Sequence, residues 1–181
     1  MLVLIRMFVV AVSLLTPRLA LAQATVRITG YGEFSVAREL DIREPQVVDG
    51  DPEPVKSVDG VRLIEQTGGI EGRLCRRFGI RFVLDGVGTG GVMPIIVRTQ
   101  HPAITRPGSV SSTGGRYASS IGGNQPGWVG FTFDYPWELV AGTWSFAIMS
   151  GETVLAEQSF IVTVPPDADQ PPPGGCGAPV S

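Results

Sequence analysis

From Gly142 onward the bulky side chains of Trp144, Phe146 and Ile148 fall on every second residue, with Thr143, Ser145 and Ala147 between them. A period of two puts the large apolar groups on one face of an extended chain and the small ones on the other, which is the pattern of a half-buried strand. Ser150-Gly151-Glu152 then offers a turn, and Phe160, Val162 and Val164 alternate with Ile161 and Thr163 on the way back. Residues 136–164 are therefore predicted to form an antiparallel hairpin. Leu155 and Phe160 differ in parity. If both face inward, one extra residue has to be absorbed near Ala156 to Ser159, as a bulge.

Upstream, the same signal recurs in shorter pieces. Val26 to Val36 is β-branched and aromatic but broken by Gly30 and Gly32, as an edge strand with a kink would be. Val61 to Thr67 regains strand composition, and Phe78, Ile80, Phe82 and Leu84 alternate cleanly before the Asp85-Gly86 turn. Val92 to Gln100 reads as a strand that settles after Pro94 and stops at His101-Pro102, and Val129, Phe131 and Phe133 give one more. Two long connections separate these runs. Ala37 to Gly60 is acidic and proline-bearing, and Ala103 to Gly127 is dominated by Gly, Ser and Pro, with room for a short strand near Arg116 to Ser119 or for a binding loop. No amphipathic helix is indicated. The expected fold is an all-β, immunoglobulin-like β-sandwich of about seven antiparallel strands over residues 25–164, with Trp137, Leu139 and Trp144 around the corner into the closing hairpin.

The two ends of the chain differ from this domain. Arg6 precedes an apolar run from Met7 to Leu15, and the Leu19-Ala20-Leu21-Ala22-Gln23-Ala24 segment carries small residues at cleavage-site spacing. This is the form of a signal peptide, residues 1–22, and the run is shorter than a helix needs to cross a bilayer. The mature chain is expected to be periplasmic or secreted, without a transmembrane helix. Pro165 onward has the Pro and Gly content of a flexible tail, residues 165–181. Loss of Arg6 and Arg18 with the leader takes the formal charge from −3 to −5, which gives no long-range attraction for a nucleic-acid backbone, so nucleic acid is not an expected partner. Export also bears on Cys75 and Cys176, which can pair across a long loop or stay as two thiols.

Catalytic chemistry lacks its usual groups. His101 is the single histidine; it is read as a partly exposed residue at a strand end, and one His with two distant Cys does not have the spacing of a zinc site. No cofactor is expected. Asp49, Asp51 and Glu53 alternate in a D-G-D-P-E run that is a candidate for calcium, although its spacing is not that of an EF-hand. Arg73, Arg76, Arg77 and Arg81 form the one basic cluster, either a solvated strand face or a site for an anionic glycan or phosphate. Tyr117, Trp128 and Tyr135 are candidate stacking platforms for a sugar, provided that they stand exposed.

The run F-D-Y-P-W-E-L-V-A-G-T-W-S-F at Phe133 to Phe146, with L-A-E-Q-S-F at Leu155 to Phe160, resembles a bacterial family of exported domains known as domain of unknown function 3859. I-T-G-Y-G-E-F at Ile28 to Phe34, R-L-I-E-Q-T at Arg62 to Thr67 and R-R-F-G-I-R-F at Arg76 to Phe82 are similar to its earlier strands. The resemblance implies an immunoglobulin-like sandwich of unassigned activity and supplies no catalytic residue. Cys75 and the Gly/Ser content of Ser109 to Gly123 depart from it. The expected function is an exported, non-catalytic module that binds a protein or an envelope component, the alternative being an accessory carbohydrate-binding module.

Overall fold

A computed structural model describes residues 24–52, 54–88, 90–171 and 176. The proposed signal peptide, Glu53 and most of the far tail lie outside the described residues. The strands are β1 (Thr25–Ser35), β2 (Arg38–Arg43), β3 (Gln46–Gly50), β4 (Val55–Asp59), β5 (Arg62–Glu65), β6 (Gly69–Glu71), β7 (Arg77–Asp85), β8 (Val92–Thr105), β9 (Ser111–Gly122), β10 (Pro126–Thr132), β11 (Gly142–Ser150) and β12 (Thr153–Thr163). The one helical turn among the described residues is a short 3-10 turn at Pro136–Glu138. One sheet runs β10-β7-β1-β5, a second runs β3-β9-β8-β11-β12-β6, and β2 with β4 forms a separate two-stranded ribbon.

The expected hairpin is β11 with β12, paired from Gly142↔Val162 to Ser150↔Thr153. Its extra residue is Leu155, left between Ile148↔Ala156 and Met149↔Val154, so the bulge sits just before the predicted stretch. The core lies where the two larger sheets face each other. Phe78, Ile80, Phe82 and Leu84 from β7 meet Ile95, Val97 and Ile104 from β8, Trp144, Phe146 and Ile148 from β11, and Phe160 and Val162 from β12, all buried. At its centre the Phe78 ring lies 5.5 Å from Trp144, 5.5 Å from Phe146 and 5.3 Å from Phe160, joining one sheet to the other.

All seven expected strands are present, although β1 is not the edge strand expected but lies between β7 and β5, and the structure also corrects what lies between them. The acidic segment is not a loop: it forms β2, β3 and β4. Three of its carboxylates have cross-strand partners, with Arg38 to Asp59 at 3.0 Å, Lys56 to Glu39 at 3.8 Å and Arg116 Nε to Asp49 at 2.8 Å. The Gly/Ser stretch holds the strand allowed for near Arg116 to Ser119, but as the longer β9, hydrogen-bonded along β8 on one side and β3 on the other. Glycine permits this close approach. A Cβ on Gly114, whose φ is +98°, would stand 2.2 Å from the Thr99 carbonyl oxygen, and one on Gly115 would stand 2.6 Å from that of Asp49.

Three further differences follow. The strand expected to stop at His101-Pro102 continues to Thr105, with a break in register between Gln100 and Ile104. The strands are not all antiparallel, because β6 pairs parallel with β12 at Ile161↔Gly69 to Thr163↔Glu71. The chain also stays packed beyond Val164: Ala168 is buried, its carbonyl accepts from Leu74 N at 2.9 Å, and Asp167 pairs with Arg73 at 3.0 Å. The proximal part of the expected tail is thus a docked strap, not a free end.

Candidate functional site

The loop from β10 to β11 carries the most exposed aromatic surface of the three sugar-platform candidates. Phe133 is buried and holds one end of the loop. Pro136, with its fixed φ, opens the 3-10 turn, and the buried Glu138 carboxylate accepts from the backbone N–H of Asp134 at 2.6 Å and of Tyr135 at 3.0 Å. With its backbone held in this way, the Tyr135 ring lies parallel to Trp137, with centroids 5.1 Å apart and planes 10° apart, while 53% of Tyr135 remains exposed. The Arg106 guanidinium lies 5.4 Å from the Trp137 ring centre. Arg106 also borders a cleft of about 110 Å³ lined by Glu44, Asp51, Pro52, Pro54, Ile104, Ser109, Val110 and Ser112. There, Ser112 Oγ donates to the Asp51 carbonyl at 3.0 Å and accepts from Gly114 N at 3.1 Å.

The other two aromatic candidates are placed differently. Tyr117 is half-buried against the core, and burial pushes its hydroxyl up to about 12. Trp128 is half-buried, meets Phe34 edge-on at 6.1 Å, and has a buried indole N–H without a hydrogen-bond partner. Neither presents a free ring face of the kind Tyr135 does.

The four arginines are not brought together as one cationic site. Arg73 pairs with Glu71 and Asp167, Arg76 with Glu33 at 2.9 Å, and Arg77 with Glu39 and the Thr132 hydroxyl. Arg81 alone of the four has no carboxylate partner among the described residues, and it stands opposite Trp128 in the β7–β10 register. The Arg73 hydrogen bonds hold the Asp167 carboxyl below its usual range, whereas burial raises Glu33 despite Arg76 beside it. Of the acidic triplet, Glu53 lies outside the described residues. Asp49 is bonded to Arg116, which lowers its pKa, while Asp51 borders the cleft, and no group of three metal-binding side chains occurs among the described residues.

His101 is not a partly exposed strand-end residue. It is 7% exposed, its ring lies tilted against Trp144 with centroids 4.9 Å apart, and its Nδ1 lies 2.8 Å from the Pro102 carbonyl oxygen. Burial holds its pKa below the ordinary 6.5, only partly opposed by the Pro102 carbonyl. The unfolded chain therefore binds the proton first on acidification. The share of stability that comes from the neutral imidazole is complete above pH 6.5 and is lost as pH falls below it, at most about 1.4 kcal/mol per pH unit. His101→Gln is expected to flatten the difference in unfolding free energy between pH 7 and pH 5 relative to the wild type, measured by urea denaturation. An unchanged slope would contradict this role.

A model of the family described as Domain of unknown function (DUF3859) matches residues 26–162. The chain belongs to that family. The DUF3859 domain is similar in fold to an immunoglobulin-like protein from Pseudomonas aeruginosa, whose crystal structure aligns with a TM-score of 0.57 at 22% sequence identity, covering 80% of this chain and 99% of that one. No curated protein matches the chain. The immunoglobulin-like, all-β class expected from strand patterning is therefore the observed one. Cys75, within the residues matched to DUF3859, is joined to Cys176 beyond them, with Cα atoms 4.8 Å apart across a sequence separation of 101. No helix among the described residues is long and apolar enough to cross a membrane.

Sequence reasoning missed Trp137 and Arg106 as partners of Tyr135, having placed Trp137 at the sandwich corner. The signal was the Tyr135-Pro136-Trp137 spacing: a proline between two aromatics starts a tight turn that stacks one ring on the other. Arg106 could not be found this way, since it reaches Trp137 from a different strand end.

Proposed function

We propose that this domain is an exported, non-catalytic module that binds a protein or another envelope component. The observation that carries the reading is β2. It pairs only with β4 among the described residues, all six of its residues are exposed, and Leu40 and Ile42 are 56% and 62% exposed on it. An open strand edge with apolar side chains supports recognition by strand addition, in which main-chain hydrogen bonds supply affinity and alternate side chains supply specificity. The Cys75–Cys176 bridge supports export, since such bonds persist in oxidising compartments. The test is a photo-reactive amino acid at position 42 in cells of the source organism. A discrete adduct that Leu40→Asp abolishes is expected; no adduct, or one indifferent to Leu40→Asp, would refute recognition at this edge.

A second reading is an accessory carbohydrate-binding module. It is favoured by the Tyr135 ring, stacked on Trp137 yet more than half exposed.

A further inference from the structure

On one side of the sandwich, the flanking strands cover only part of their neighbours. β5 pairs with β1 at Glu33, Phe34 and Ser35, and β6 pairs with β12 at Ile161, Val162 and Thr163. Thr25 to Tyr31 of β1 and Thr153 to Phe160 of β12 have no strand on that side among the described residues. A depression of about 240 Å³ lies there, lined by Ile28, Thr29, Gly30, Tyr31, Gln66 and Gln158. We propose that this depression holds a lysine or arginine side chain carried on an extended segment of a partner protein. The proposal rests on the protein-binding reading above and adds a contact that shares no residue with β2.

The lining offers acceptors to a cationic donor. Gln158 stands opposite Phe146 in the β11–β12 register, so it occupies the inward face of β12, on which Phe160 and Val162 are core residues. It is half-buried, and its amide N–H donates to the Ser159 carbonyl at 2.7 Å, which leaves its own oxygen without a partner among the described residues. Gln66 likewise has no hydrogen bond among the described residues. Amide oxygens accept readily from ammonium and guanidinium groups. No cation lines the depression, and those close to it along the chain are paired: Arg27 with Asp85, Arg76 with Glu33 and Arg98 with Glu157. Arg81 stands opposite both Gly30 and Trp128, on the outer face of its sheet, because Ile80 and Phe82 on either side of it are core residues.

Charge selects the ligand. Glu65 immediately precedes Gln66 and is directly opposite Glu33, two residues from Tyr31. Like charges opposed across a ladder are destabilising. Arg76 answers Glu33, whereas Glu65 has no ion pair among the described residues. Burial raises the Glu33 carboxyl, Arg76 opposes the rise, and Glu65 adds to it. A cation arriving beside Glu65 relieves the opposition; an anionic ligand would add to it, and a neutral sugar would leave it unchanged. The bare lengths of β1 and β12 supply main-chain groups for an extended segment, and the depression takes one of its side chains.

Selection of a phage-displayed random dodecapeptide library on the mature chain, with its disulfide intact, is expected to enrich peptides that carry Lys or Arg among β-forming residues. The tightest of them, synthesised and titrated calorimetrically, is expected to bind Gln158→Lys and Glu65→Gln about tenfold or more weakly than the wild type. Gln158→Glu is expected to bind it at least as tightly as the wild type, and Leu40→Asp equally. Melting temperatures separate binding from folding, since Glu65→Gln removes an opposed charge and is expected to melt no lower than the wild type. Peptides without a basic residue, affinity indifferent to Gln158→Lys or Glu65→Gln, or weaker binding by Gln158→Glu would overturn the site. A peptide lost on Leu40→Asp would also overturn it, leaving β2 as the binding edge. If nothing is enriched the site falls, and the adduct at position 42 still decides the protein-binding reading by itself.

Discussion

Phe78→Ala is expected to lower the free energy of unfolding by about 3 to 5 kcal/mol, the range for emptying a well-packed aromatic site. Phe78 is fully buried, and besides the three rings of the opposite sheet it lies 5.6 Å from Phe133 and 6.5 Å from Phe131. The vacated volume would be bounded by rings from β10, β11, β12 and the loop after β10. These are large and already in contact with one another, as Phe131 and Trp144 are at 4.8 Å, so they have little freedom to collapse inward. Single domains have a net stability of about 5 to 15 kcal/mol, so the loss would take a large part of it. Phe78→Leu keeps most of the volume and is expected to cost distinctly less. Urea denaturation of both variants measures this, and a loss below about 1 kcal/mol for the alanine variant would mean that the ring cluster is not the centre of the core.

The residues that Phe78 meets also explain what could be read in the chain. Strands with one buried face declare themselves, because burial requires every second residue to be apolar, and β7, β11 and β12 do so at Phe78 to Leu84, Trp144 to Ile148 and Phe160 to Val162. Those segments place both halves of the core without a structure. The strands that were missed, or seen only in part as β9 was, have no such face. All six residues of β2 are exposed, and its stability comes from pairing with β4 and from ion pairs such as Arg38 with Asp59, which in sequence are indistinguishable from the charges of a solvated loop. In β9 the usual loop residues serve another purpose: Gly114 and Gly115 allow β8 and β3 to approach, so a composition that ordinarily marks a turn here marks close packing. His101 was misplaced for a related reason, since an H-P step reads as a strand end when the irregular continuation to Thr105 leaves no periodic trace. The site was only half legible. Tyr135 was named from its residue type, but its orientation depends on the Glu138 carboxylate that holds its backbone and on the Trp137 ring against which it lies, and both come from the folded turn.

Replacing both cysteines by serine is expected to cost about 2 to 5 kcal/mol, close to the Phe78→Ala effect but by a different route. The bridge closes a loop of 101 residues, and in the chain-entropy account a loop of that length restrains the unfolded chain by about 4 to 5 kcal/mol. It also holds native structure together. Cys75 N donates to the Phe133 carbonyl at 2.8 Å and Phe133 N to the Arg76 carbonyl at 3.1 Å, so the bridged residue is bonded to the segment that opens the Tyr135 loop. On its other side the bridge reinforces the strap through Leu74 N to the Ala168 carbonyl and Arg73 to Asp167. Cys75 has φ +69°, a conformation that costs a side-chain-bearing residue energy and glycine almost none. The unbridged pair Cys75→Gly with Cys176→Ser should therefore be about 0.5 to 1 kcal/mol more stable than Cys75→Ser with Cys176→Ser, if the native backbone persists without the bridge. Equal stability of the two double variants would show that residue 75 leaves its left-handed conformation once the bond is gone. Loss of hydrogen-exchange protection at Leu74 in both would show that the strap detaches with it. The measurements are urea unfolding under oxidising conditions and exchange rates at Leu74 and Phe133, and an unbridged chain as stable as the wild type would remove the disulfide from any account of how this fold is held.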